Sequence, residues 1–196
     1  MTTRSADQIE EILRLWLDEV GPKGWYERSV EVDKRVTEGY RTLWAKAVRG
    51  DLDHWMLTPR GALALLILLD QFPRNMFRGS ADAFVGDDHA RAMAKLAVVR
   101  GHDLAIPEPA RQFFYLPLMH SEALADQEQC VRLVKLRLPE SGQDNLDHAV
   151  RHREVIRRFG RFPSRNRSLG RRDTEAERRY REQGGYMSGA GAPAPA

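Results

Sequence analysis

Thr58-Pro59-Arg60-Gly61-Ala62-Leu63-Ala64-Leu65-Leu66-Ile67-Leu68-Leu69-Asp70-Gln71-Phe72-Pro73-Arg74-Asn75 is the stretch that decides the fold. Thr58 is a good N-cap, and Pro59 suits the first helical position, where a missing N–H costs nothing. Ala62 to Leu69 is apolar without a break, so this helix has no solvent face and should be the central, buried one. Phe72-Pro73 predicts its end, because a proline ring pushes the residue before it out of the α region. Arg74 and Asn75 should then lie just past the helix terminus.

Outward from this helix, the pattern stays helical. Ile9, Ile12, Leu13, Trp16 and Val20 recur at helical spacing, with Gly21 as a stop and a loop from Pro22 to Glu27. Further helices are expected from Val30 to Arg49, from Asp87 to Arg100, from Pro107 through Tyr115, from a Ser121 cap to Leu136, and from Asp144 to Phe159. Thr174-Glu175-Ala176-Glu177 reads as a capping box for a last short helix. No segment alternates like a strand. The fold class is all-α, a compact stack of antiparallel helical hairpins. Residues 1–187 form one domain, and the Gly/Ala/Pro mixture of 188–196 is a disordered tail.

The phrase Phe72-Pro73-Arg74-Asn75 has an echo in Phe162-Pro163-Ser164-Arg165-Asn166, which carries one extra residue. Two such corners would aim two Arg/Asn pairs at one place. Each pair has a bland explanation, since a cation is favoured at a helix C-terminus. The functional alternative is a two-guanidinium clamp for carboxylate or phosphate.

Composition narrows the function classes. The chain has 196 residues, a net charge of +3 and one cysteine, Cys130, so no disulfide forms within it and a reducing cytoplasm fits best. The N-terminus lacks the apolar stretch of a signal peptide, and Ala62–Leu69 is too short to span a bilayer, which leaves no membrane association. Charge is uneven: Arg151 to Arg181 holds 12 arginines against 4 acids. That suggests an anionic partner, but the arginines are not interleaved with aromatics or glycine, which weighs against nucleic acid.

Three blocks carry a resemblance. The first is Thr58 to Leu65 followed by Asp70 to Asn75 and Phe77-Arg78-Gly79. The second is Phe114-Tyr115-Leu116-Pro117-Leu118-Met119-His120-Ser121-Glu122. The third is His152 and Ile156, Arg158 to Asn166, and Leu169-Gly170-Arg171. Together, from about Ile9 to Gly185, the chain resembles the bacterial family catalogued as domain of unknown function 924. The resemblance implies an all-α fold similar to tetratricopeptide-like hairpin stacks and names no activity. Two departures stand out: Ser164 where the family usually has His, and Ala123 where it usually has an acid.

The candidate site follows from residue chemistry. Arg74, Arg161 and Arg165 would hold an anion, Asn75 and Asn166 would orient it, and His120 or His152 would move a proton. Glu122, beside His120, completes the set, although Ser121 and Glu122 are also explained as a helix start. His148 and His152, four apart, lack the partners of a metal site, so no metal and no cofactor is assigned. Asp70, at the end of a buried helix, needs a cationic partner, with Arg74 or an arginine of the third block the natural one. The leading function is a pocket for a small anionic molecule, with or without catalysis. The alternatives are a peptide- or protein-binding adaptor without catalysis and, third, nucleic-acid binding by the basic C-terminal part. Oligomeric state is left open.

Overall fold

A computed structural model describes residues 3–185; the tail expected at 188–196 lies outside them. The described residues are helical, with no strand among them. Thr58 caps α3 (Pro59–Leu66), its Oγ1 accepting from the Gly61 N–H at 3.1 Å. From Ala62 to Leu69 every residue is at most 1% exposed. At about 1.5–3 kcal/mol for each buried Leu or Ile, this segment contributes strongly to the core.

Around it pack α1 (Thr3–Leu13) and α2 (Val30–Val48). A π-helical stretch, Arg14–Val20, extends α1 to Gly21, whose φ of 64° turns the chain. The expected loop after it holds one helical turn, Gly21–Gly24.

Phe72-Pro73 does not stop the central helix. The chain passes from α3 through a π-helical stretch (Ile67–Gln71) into α4 (Phe72–Met76), and Phe72 itself is α-helical. The π turn bonds the Phe72 N–H to the Ile67 carbonyl, five residues back. Pro73 thereby falls in the first turn of a new α segment, where the ring is tolerated. The second corner behaves as expected. Gly160 adopts a left-handed conformation (φ 68°), and Phe162 is extended before Pro163. The echo is therefore one of sequence, not of backbone.

Next come α5 (Asp87–Val99) and α6 (Leu116–Met119), which opens on Pro117. The following helix, α7 (Leu124–Arg137), starts two residues later than a Ser121 cap requires. Ser121 Oγ instead donates to Asp126 at 2.7 Å and accepts from the Ala123 N–H at 3.1 Å, a local turn that competes with capping. Ala123 is the N-cap, with no side-chain bond, and Glu122 lies outside the helix. Next, α8 (Gln143–Phe159) folds back on α7, with Arg153 and Arg157 near its end reaching Glu128 near the start of α7. The capping box at Thr174 and Glu177 forms and opens α9 (Glu175–Glu182). Val155, Ile156 and Phe162, with Phe159 and Tyr180, make a small second core beside the main one.

Candidate functional site

A cleft of about 1140 Å³ opens between α8 and the end of the central helix. One wall is a stripe of α8: Asp144, Asn145, His148, Arg151, His152 and Val155, residues that share a helix face. Gln71, Arg74, Asn75 and Arg78 line it from the π stretch and the segment after it, and Trp25, Tyr26, Leu116 and Met119 add a largely apolar surface. A smaller hollow of about 370 Å³ beside Ile9, Thr58 and Ile106 lies away from these groups and holds only the Glu10 and Arg60 charges.

The π turn presents Asp70, which is 1% exposed, to His120. Asp70 Oδ1 receives His120 Nδ1 at 2.7 Å and Arg74 Nη2 at 3.3 Å, and the Gln71 amide donates to Oδ2. Burial alone would raise the Asp70 pKa. The His120 and Arg74 charges and the bonds from His120 and Gln71 outweigh it and hold the carboxyl well below its usual range. An ionised carboxylate only accepts, so Nδ1 of His120 carries the proton. Nε2, on the other edge of a ring that lines the cleft, has no hydrogen-bond partner among the described residues.

Behind this pair, Asp87 joins both corners. It takes Arg74 at 2.9 Å on Oδ1 and Arg165 at 3.1 Å on Oδ2. Both guanidiniums also lie over the Phe84 ring, at 5.3 and 4.7 Å, and Arg165 lies 4.7 Å from that of Phe162. Burial, with Arg74 close by, lowers the Arg165 pKa to about 10. Burial raises that of Asp87 against the pull of the two arginines. Arg165 further holds the His120 carbonyl at 2.9 Å, so it positions the histidine from behind.

His152 stands 6.5 Å from His120 between ring centroids and 5.3 Å from Phe162. Its Nδ1 bonds the His148 carbonyl at 2.8 Å. Burial drives its pKa down to about 3, against that hydrogen bond and helped by the neighbouring cationic groups, so the ring is neutral at pH 7.

The structure brings Arg74, Asn75, His120 and His152 together on the cleft wall, with Arg165 one layer behind. It places the other three elsewhere. Glu122 binds Arg171 through both oxygens and the Phe162 N–H at 2.8 Å. Arg161 grips Glu177, at 2.6 and 2.9 Å. Asn166 is 1% exposed and donates to Asp173 at 2.7 Å. These fix the C-terminal segment. Asn75, although on the wall, donates to Asp33, which Arg78 also holds. Of the twelve arginines from Arg151 to Arg181, seven are engaged in the same way: Arg153, Arg157, Arg161, Arg165, Arg171, Arg179 and Arg181 each pair with an acid.

Sequence reading missed Gln71, Tyr26, Gln112, Asn145, Arg151 and Asp87. For the α8 residues a signal existed: Asp144, Asn145, His148, Arg151 and His152 repeat at helical spacing. Ser164 also lines the cleft.

Comparison with known proteins gives a family and no activity. Residues 12–185 match the family described as "Bacterial protein of unknown function (DUF924)". Among solved structures, the chain is similar to a protein of unknown function, ATU0120, from Agrobacterium tumefaciens. The two share 40% identity over 91% of this chain and 99% of that one, with a TM-score of 0.86. No functionally curated protein matches the chain.

Proposed function

We propose, for a chain that belongs to the DUF924 family of bacterial proteins of unknown function, that the cleft binds a small anionic molecule and that His120 moves a proton on it. One observation carries this reading: a buried carboxylate, Asp70, holds Nδ1 of a cleft-lining histidine at 2.7 Å. A carboxylate in this place fixes the imidazole tautomer and leaves Nε2 as a base aimed away from it. Arg74, one hydrogen bond away on the same carboxylate, supplies positive charge beside the ring. Protonation of His120 gives the group of Asp70, Asp87, Arg74, Arg165 and His120 a surplus cation that an anion would balance.

A second reading keeps the cleft and drops the chemistry: a tetratricopeptide-like hairpin stack that accepts a peptide. The size of the cleft supports it, since small-molecule pockets run from roughly 300 to 1000 Å³.

The test is mass spectrometry of small molecules released on denaturing the purified native protein. Wild type should release an acidic compound that Arg74→Gln does not. Equal release from both, or no acidic compound from wild type, would overturn the anion reading.

A further inference from the structure

We infer that the ligand is a short peptide-like molecule carrying a carboxylate and, about 10 Å from it, an amide. This rests on the anion reading above. The second recognition point lies at the start of α8. Gln112 is 3% exposed, and its Nε2 donates to the Pro109 carbonyl at 2.9 Å, which fixes Oε1 as its acceptor. Oε1 receives Asn145 Nδ2 at 3.0 Å and the Tyr26 hydroxyl. Gln112 is thereby committed, and it holds the Asn145 carboxamide in one orientation.

Asn145 lines the cleft and retains Oδ1 and its second Nδ2 hydrogen, neither bonded among the described residues. A carbonyl acceptor and an N–H donor side by side match an amide, which offers the same two groups in reverse. The His152 ring lies 6.5 Å from that of His120 at the anion site, and Asn145 is seven residues from His152 on the same face of α8, nearly two full turns, or about 10 Å along the axis. Three extended residues span about that distance. Leu116, Met119 and Val155 line the same cleft and suit apolar side chains in such a ligand.

The probes are N-acetyl-Ala-Leu-Ala with a free carboxylate, the same peptide as its C-terminal amide, and hexanoate, measured by calorimetry on the full chain. Wild type should bind the free acid more tightly than the C-terminal amide. Asn145→Leu should weaken the free-acid peptide about tenfold, as one lost hydrogen bond allows, while leaving hexanoate unchanged. Unchanged hexanoate binding also reports an intact fold. If Asn145→Leu leaves the peptide unaffected, or weakens hexanoate equally, amide recognition is overturned and the anion reading stands. If the C-terminal amide binds as well as the free acid, or no probe binds wild type, the anion reading falls and this inference with it.

Discussion

Replacing Asp70 by alanine should destabilise the fold, by less than a buried orphan charge implies. Removing one partner of a buried ion pair typically costs about 3–5 kcal/mol, because the other charge is stranded. Here Arg74 is not stranded: it keeps Asp87 at 2.9 Å and the Ala83 carbonyl at 3.0 Å. What is lost is the charge-assisted bond from His120, the longer contact with Arg74 and the Gln71 amide bond. Charge-assisted bonds contribute about 1.5–3 kcal/mol, so we expect about 2–3 kcal/mol for Asp70→Ala. In a chain of this size that lowers the melting temperature by about 5–10 °C. Asp70→Asn should cost about half as much, since its carbonyl at the Oδ1 position still accepts from His120 and Arg74, while its amide at the Oδ2 position meets the Gln71 donor. Calorimetric melts with urea titrations decide it. An Asp70→Ala protein melting within about 1 °C of wild type would refute the claim that this carboxylate organises the site.

Three further predictions follow from other parts of the fold. Gly61→Ala should lower the melting temperature by several degrees, because a Cβ at this first-turn position would overlap the Trp55 carbonyl oxygen, a backbone atom that does not swing away. Ala123→Asp should raise it by about 2–4 °C, since the N-cap of α7 has extended backbone and no side-chain bond, and a capping carboxylate contributes about 1 kcal/mol. A pH series should separate two carboxyl and imidazole effects. His152 is depressed from 6.5 to about 3, so its contribution is full above pH 6.5 and is lost as pH falls from there toward 3. Glu177, held at about 2 chiefly by its bond from Arg161, loses its contribution only as pH falls from 4.5 toward 2. Burial also lowers His148, which stays in the variant, so melts of His152→Gln should decline less steeply than wild type from pH 6.5 down to about 5.

Local rules made the fold legible where they agreed with tertiary demands. Thr58-Pro59, the apolar Ala62–Leu69 run and Gly160 each had one favourable conformation, and each adopts it. Phe72-Pro73 shows the limit. The dipeptide disfavours helix locally, but burying Phe72 against Trp16 and Tyr40 favours continuing, and a π turn reconciles the two. Ser121 failed for a related reason: its hydroxyl had a better partner in Asp126 than in a helix N–H. At the site, residue type singled out His120 and Arg74, which line the cleft. It could not separate them from Arg161 and Asn166, because the acids that consume those two, Glu177 and Asp173, are matched only in three dimensions. Gln112 carried no charge and no motif, so nothing in the chain marked it, and Asn145 was marked only by its spacing from His148 and His152.

The central claim is that Asp70 fixes His120 as a base facing an anion site, and histidine-ring nitrogen NMR tests it most directly. Long-range ¹H–¹⁵N spectra at pH 7.5, assigned with His120→Gln, should show His120 protonated at Nδ1, with its Nε2 resonance shifting when hexanoate is added. An Nε2–H tautomer, or an Nε2 signal indifferent to hexanoate, would contradict the claim.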